Sequence, residues 1–357
     1  MLLPLAPVAY GLSLVHAPGV LLFALSAIAV IPLAALIGKA TEELAYHVGS
    51  AAGGLLNATF GNVPELIIGI LAIRQGLLTL AQASIIGSVI GNASLVVGMS
   101  LFYGGIRNGT QTFDRNDVGH QSVLMVLAIA SLALPSLFAA TSPRGNVQAL
   151  SVFVAILLMV TYVAYLLYNI AGLRGGTRRD DDEGLLADVE EAYEQLVEDE
   201  GGLEWAWQRS VFWLLVATVA VAFVGEVLVS SVRPVTAALG ISEFFVGVVI
   251  VPIVGNVAEH FAAVQLAGKN KTDLAFAVAS GSSIQVAVFV APILVLLSFL
   301  WHPMTLVFNP IEIAVLALVV AIFFFVASDG ESNWLEGLQL MTIYVMAAAV
   351  FLFLPGP

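Results

Sequence analysis

Gly61-Asn62-Val63-Pro64-Glu65 and Gly255-Asn256-Val257-Ala258-Glu259 are two copies of one five-residue string, each in the middle of an apolar stretch long enough to cross a bilayer. A carboxylate at the centre of a membrane costs roughly 2.5–3.5 kcal/mol on insertion scales. Two of them at matching positions in two halves of a chain point to one shared site, and its charge suits a cation.

The repeat continues beyond the string. A single offset of 194 residues, with no gap, carries Leu80, Ala81 and Ala83 onto Leu274, Ala275 and Ala277. It then carries Gly87, Ser88, Ile90 and Val96 onto Gly281, Ser282, Ile284 and Val290. Apolar residues match one another by chance, so the Gly-Asn, Glu and Gly-Ser coincidences bear the weight of the duplication.

Of the 357 residues 60% are hydrophobic and 10% charged, with a mean hydropathy of +1.00. Soluble domains are about 25% charged, so this is the composition of a polytopic membrane protein. The absence of cysteine excludes disulfides, thiolate metal sites and thiol catalysis, and the five histidines have no zinc-binding spacing.

A hydrocarbon layer about 30 Å thick takes about 20 helical residues. On that ruler the apolar runs fall at 19–38, 51–73, 78–104, 118–139, 147–171, 208–231, 243–267, 273–300, 310–327 and 335–354. Residues 1–18 are apolar too, but Pro4, Pro7 and Gly11 interrupt a segment too short to cross, and no basic residue precedes it as in a signal peptide. It is expected to lie at the interface. Five spans in each half force the second half to enter the membrane from the opposite side. The expected fold is therefore an all-α polytopic membrane protein with ten transmembrane helices, arranged as two inverted-topology five-helix repeats over 19–172 and 208–357.

Basic residues set the orientation, because cytoplasmic loops hold the excess of Lys and Arg. Lys39, Arg107, Arg115, Arg174, Arg178, Arg179, Arg209, Lys269 and Lys271 fall on one side, and only Arg74, Arg144 and Arg233 on the other. Both termini are expected outside, in the plasma membrane of a prokaryote. The acidic linker, 173–207, is expected in the cytoplasm. It holds 12 of the 25 carboxylates, and apolar residues at helical spacing from Leu185 to Leu203 predict a short amphipathic helix within it. Two readings of it stand: a solvated spacer between the halves, or an antenna that gathers or senses divalent cations.

Inverted repeats place their substrates near the midplane, at helices broken so that freed carbonyls become ligands. The breakers are present: Gly61 and Pro64 flank Asn62, and Pro252 and Gly255 precede Asn256. A proline inside a helix removes one donor and clashes with the carbonyl four residues back. A spacing of three puts Asn62 and Glu65 on one helix face, and Asn256 and Glu259 on another. Two carboxylates, two amides and freed carbonyls form an all-oxygen set suited to Ca²⁺, which takes 6–8 oxygens in flexible geometry, better than to a soft metal. Ser88 and Asn92 in the third span, with Ser282, Ser283 and Gln285 in the eighth, offer supporting oxygens, as do Gln82, Ser84 and Ser280. In a poorly hydrated place the carboxylate pair is neutralised by one Ca²⁺ or by two protons. The two ions then exclude one another, and at an alternately exposed site mutual exclusion is antiport.

These residues resemble the calcium/proton exchangers (CAX) of the cation/calcium antiporter superfamily over nearly the whole chain. The likeness rests on Gly-Asn-x-x-Glu in each half, Ala40-Thr41-Glu42-Glu43-Leu44, the acidic mid-loop and Gly281-Ser282-Ser283-Ile284-Gln285. The resemblance implies that Glu65 and Glu259 bind calcium and exchange it for protons, and that the long first and sixth helices slide to switch access. It further implies that Glu42 and Glu226 stand at the cytoplasmic and external openings. Glu43 and His47 either assist Glu42 or form an exposed helix-end cluster. Two positions depart from the family pattern: Pro64, where a small or hydroxyl residue is frequent, and Gly91, where a serine usually precedes the asparagine. The sodium/calcium branch carries Gly-Thr-Ser in place of Gly-Asn, and its sodium-binding hydroxyls are missing here.

The function expected is a secondary active Ca²⁺/H⁺ antiporter that exports cytosolic calcium, with sodium-coupled exchange and a cation channel as the rivals. It is not an enzyme: neither paired aspartates in spans nor a histidine-rich metal motif supports a membrane hydrolase. No cofactor and no nucleic-acid partner are expected. A homo-oligomer is compatible with the sequence, because lipid-facing and subunit-facing surfaces read alike.

Overall fold

The computed structural model describes residues 3–48, 56, 59–113, 115–142, 145–170 and 205–354. Nearly all of the expected acidic linker, with its amphipathic helix, lies outside the described residues.

The protein is predominantly helical. Helix α1 (Leu5–Leu14) is followed by α2 (Gly19–Val48), α3 (Val63–Arg74), α4 (Leu78–Ile90), α5 (Val97–Asn108), α6 (Arg115–Thr141) and α7 (Val147–Ile170). The second half holds α8 (Trp207–Ser230), α9 (Val232–Leu239), α10 (Glu243–Phe245), α11 (Val251–Gly255) and α12 (Val257–Gly268). It ends with α13 (Thr272–Gln285), α14 (Ala291–Ser298), α15 (Pro310–Ala327) and α16 (Trp334–Phe353). Among the described residues three π-helical turns, Gly91–Val96, Val246–Ile250 and Val286–Val290, fuse α4 to α5, α10 to α11 and α13 to α14.

Among the described residues seven helical stretches are long and apolar enough to cross a membrane, and an eighth is counted when Glu243–Gly255 and Val257–Gly268, bent by 59° at their break, form one span. Burial sorts them into layers. In the apolar windows of Leu78–Asn108 and Thr272–Ser298, 83% and 78% of residues are buried within the protein, so these two stretches form the centre. In Val147–Ala164 and Trp334–Phe353 only 22% and 28% are buried, and such helices form the rim. The rim exposes Phe153, Leu157, Val160, Phe212, Leu215, Phe325 and Phe353, while Asn62, Asn92, Asn256, Ser88 and Ser282 are buried. Polar side chains inside and apolar ones outside are what a bilayer selects in place of water.

The central helices approach each other at glycines. A Cβ on Gly87 in α4 would overlap the Val248 carbonyl and stand 2.7 Å from Pro252 Cγ, and a Cβ on Gly247 would stand 2.7 Å from the Leu80 carbonyl. Backbone contact of this kind packs small-residue faces together where lipid supplies no hydrophobic drive.

The structure corrects several expectations. Helix α2 does not stop near residue 38 but runs to Val48, about 45 Å at 1.5 Å per residue, because Lys39, Ala40, Glu42, Glu43, Leu44 and Ala45 are good helix formers. The sixth span continues into α9, beyond the expected end at 231. In the N-terminal segment Pro4 and Pro7 do not prevent a helix. They stand at the N-cap and in the first turn of α1, where a missing N–H has no consequence, and α1 packs on α2 and α8. A two-residue antiparallel pair, Gln111–Thr112 with Glu331–Ser332, also joins loops from the two halves.

Candidate functional site

Both copies of the motif break their helix at the asparagine, and they do so with the same backbone. Asn62 has φ −96° and ψ 15°, Asn256 φ −94° and ψ 16°. The helix then restarts, so Glu65 and Glu259 both occupy a first turn, that of α3 and that of α12. Pro64 is accordingly not a helix-interior proline: it lies in the first turn of α3, where its ring meets no preceding turn. Pro252 stands just after a π-helical turn, at the start of the short α11. The offset of 194 residues also carries the turn Gly91–Val96 onto 285–290, so the duplication extends to a departure from α-helical geometry.

The two motifs meet. The Glu65 carboxylate lies over the glycine of the other motif, so that a Cβ on Gly255 would stand 2.5 Å from Glu65 Oε1. Glu65 is 7% exposed and Glu259 8%, and the Glu259 carboxylate acts electrostatically on that of Glu65. Neither Glu65 oxygen has a hydrogen-bond donor among the described residues, and the Asn62 and Asn92 amide oxygens are likewise unpaired. Leaving a buried acceptor unpaired costs about 1–3 kcal/mol, more when it is charged. Four such atoms in one region call for something that is not a hydrogen-bond donor of the protein.

The donors around them are committed elsewhere. Asn62 Nδ2 donates to Gln285 Oε1 at 2.7 Å, which fixes the flip of the amide and leaves Oδ1 free. Asn92 Nδ2 donates to Ser282 Oγ at 3.0 Å, Ser282 Oγ donates to Asn256 Oδ1 at 3.4 Å, and Asn256 Nδ2 donates to Ser88 Oγ at 3.2 Å and to the Pro252 carbonyl at 3.0 Å. The site is therefore asymmetric: Asn62 keeps an unoccupied oxygen, whereas that of Asn256 accepts from Ser282. Gly61 forms the turn before Asn62, and Gly255 ends α11.

Other expected site residues lie elsewhere. Ser283 and Ser280 donate to their own helix, at the Ala279 and Phe276 carbonyls, as does Ser84 at Ala81. Gln82 donates to the Thr305 and Val307 carbonyls of a distant loop. Glu43 is buried and accepts the Trp205 N–H at 3.2 Å, while His47 Nε2 lies 3.0 Å from the Trp205 carbonyl. Lys39 and Arg209 stand over the Trp205 ring, 5.6 and 4.8 Å from its centroid. These side chains fasten the end of α2 to the entry of α8. Glu42 folds back along α2: a Cβ on Gly38 would stand 3.9 Å from Glu42 Oε1 and 3.7 Å from the Cβ of Ala258, the residue before Glu259. Glu226 forms an ion pair with Arg74 and accepts from Gln75 Nε2 at 3.0 Å. The sequence marks Arg74 only as a loop charge and Trp205 not at all: each is an ordinary interfacial residue until its partner, more than 150 positions away in the chain, is known.

Comparison with known proteins places this architecture. A Ca²⁺/H⁺ antiporter of Aphanothece halophytica is 40% identical over 348 residues, covering 95% of this chain and 92% of its own. The Ca²⁺/H⁺ antiporter ChaA of Bacillus subtilis is 39% identical over 344 residues, covering 96% and 95%. The solved structure of native YfkE superposes with a TM-score of 0.82 at 36% identity, covering 99% of this chain and all of that one. The model of the family described as sodium/calcium exchanger protein matches residues 18–171 and 209–353. On that match and those identities, this chain belongs to the sodium/calcium exchanger protein family.

Proposed function

We propose that the chain is a secondary active Ca²⁺/H⁺ antiporter, exporting cytosolic calcium in exchange for protons at one site shared by Glu65 and Glu259. The observation that carries this reading is the Glu65 carboxylate, buried without a donor and seated on the glycine of the other motif. The relatives named as Ca²⁺/H⁺ antiporters support the ion pair chosen.

In this reading ten spans form two five-helix repeats of opposite orientation, 19–172 and 208–357, joined by the cytoplasmic linker 173–207. Both termini lie outside, in the plasma membrane of a prokaryote. Glu65, Glu259, the Asn62 amide oxygen and the carbonyls around Gly61 and Gly255 hold dehydrated Ca²⁺, an oxygen set of the kind that ion takes. Gln285, Ser88, Asn92 and Ser282 hold the two asparagines in their rotamers, and Ser283 stays with its own helix. When Ca²⁺ leaves, protons take its place on the two carboxylates, so the empty site never has to carry two bare charges through the occluded state. Glu42 collects ions on one side and Glu226 on the other.

The experiment is calcium flux in proteoliposomes under an imposed pH gradient. Uptake should follow the gradient, ignore sodium and saturate. It should fall to the background of empty vesicles in Glu65→Gln and in Glu259→Gln, since neither amide gives up a proton or matches a carboxylate as a ligand. Uptake that requires sodium overturns the ion assignment, and uptake that survives both substitutions overturns the site.

A further inference from the structure

At the end of the bundle that bears Arg74 and Glu226 the protein contains a cavity of about 200 Å³, lined among others by Thr79, Gln82, Phe244, Phe308, Asn309 and Glu312. Its place follows from the chain: α4 begins four residues after Arg74, and a Cβ on Gly76 would stand 3.6 Å from His302 Nε2, so the loop after α14 closes on that same end. The volume has room for several waters at roughly 30 Å³ each.

The lining offers oxygens that no hydrogen bond among the described residues meets, beside two donors, the Asn309 side-chain amide and the Thr79 hydroxyl. Glu312 is only 8% exposed. Its Oε2 accepts the Asn309 N–H at 3.1 Å, and Asn309 Oδ1 accepts the Ile311 N–H at 3.0 Å, which caps α15. No donor among the described residues reaches Glu312 Oε1, and no Lys, Arg or His there forms a salt bridge with it. The amide of Gln82 spends its NH₂ on the Thr305 and Val307 carbonyls at 2.8 and 3.2 Å, leaving Oε1 over. The Thr79 hydroxyl has no partner among the described residues. One carboxylate oxygen, one amide oxygen and one hydroxyl thus line a cavity wide enough for a hydrated ion.

We infer that this cavity is a second cation-binding site, a station for a partly hydrated hard cation, Ca²⁺ by preference, centred on Glu312. It belongs to neither motif and lies away from the Glu65 and Glu259 pair. With a single carboxylate and retained water its affinity falls in the range of weak calcium sites, about 10⁻⁴–10⁻³ M.

Equilibrium binding of radioactive calcium tests it in the full chain, purified in detergent. The background is Glu65→Gln/Glu259→Gln, compared with the triple variant that adds Glu312→Gln. Glutamine also serves in a capping box, so the triple variant keeps the start of α15. About one Ca²⁺ per chain with a dissociation constant near a millimolar should be lost from the isotherm on adding Glu312→Gln, and Thr79→Val in the double variant should weaken the same phase several-fold. Calcium bound by the acidic linker is common to all variants and cancels in the difference. Superimposable isotherms overturn the proposal, as does a phase lost with Glu312→Gln but untouched by Thr79→Val. Because binding is read rather than transport, failure of the exchange mechanism and failure of this site remain separate results.

Discussion

Replacing Gly255 by alanine should separate the fold of this protein from its function. Gly255 ends α11 at a helical backbone with no positive φ, so alanine is conformationally acceptable and even favoured by about 1 kcal/mol of helix propensity. The added methyl, however, would stand 2.5 Å from Glu65 Oε1, whereas ordinary contact begins at about 3.4 Å. Something must retreat by about 0.9 Å, and the tip of a glutamate is the softest neighbour available. Calcium accepts oxygens between about 2.3 and 2.6 Å, so a displacement three times that spread removes Oε1 as a ligand. A loss of about tenfold to a hundredfold in apparent calcium affinity follows, the scale on which disturbed metal sites respond. The assay is gradient-driven calcium uptake as a function of calcium concentration, with the thermal midpoint of the purified variant measured in parallel. Wild-type half-saturation in a correctly folded Gly255→Ala protein would refute the claim that the Glu65 carboxylate is seated on this glycine.

Three further outcomes follow from the packing. Gln285→Met removes the acceptor that holds Asn62 Nδ2, leaving a buried donor unpaired at about 1–3 kcal/mol; the thermal midpoint should fall and calcium affinity with it, because the Asn62 amide is free to flip. Gly87→Ala forces a methyl against the backbone carbonyl of Val248, which cannot swing aside as a side chain can, so overpacking of about 1–3 kcal/mol should appear as lost thermal stability in detergent. Arg74→Gln breaks a largely exposed ion pair with Glu226, worth about 0–1 kcal/mol, so stability should hardly change. The unmasked Glu226 charge should nonetheless lower the calcium concentration needed for uptake from that face, an effect that disappears at high salt.

What could be read from the sequence was whatever repeats or alternates. Hydropathy placed a helix in each apolar run, and the doubled Gly-Asn-x-x-Glu string located two buried glutamates, of which Glu65 lies against Gly255. Other features leave no local trace. The π-helical turns at Gly91–Val96 and Val286–Val290 are written in the same apolar residues as the α-helices around them, so only the hydrogen-bond register distinguishes them. The length of α2 escaped a ruler based on apolar residues because its last turns are charged, and their anchor, Trp205, arrives more than 150 residues later. Pro64 carries a related ambiguity: a proline in a helical run is a breaker in the interior and harmless in a first turn, and only the break at Asn62 decides which. Gln82 and Ser283 illustrate the limit of composition, since polar residues on central helices do not say whether they face an ion, a loop carbonyl or their own helix.

The two-point attachment of α2 has a mechanical consequence. At one end Gly19 is pressed against Pro234 of α9, and at the other Glu43 and His47 grip the backbone of Trp205. Helix α2 and the α8–α9 unit are thereby riveted near both extremities, and a force on either is a force on both. A slide of α2 independent of α8 and α9 would break both attachments, so any displacement of one helix along its axis must carry the other. In a chain without cysteine, a pair of engineered thiols across α2 and α4 tests whether such a displacement occurs, with no native thiol to remove first.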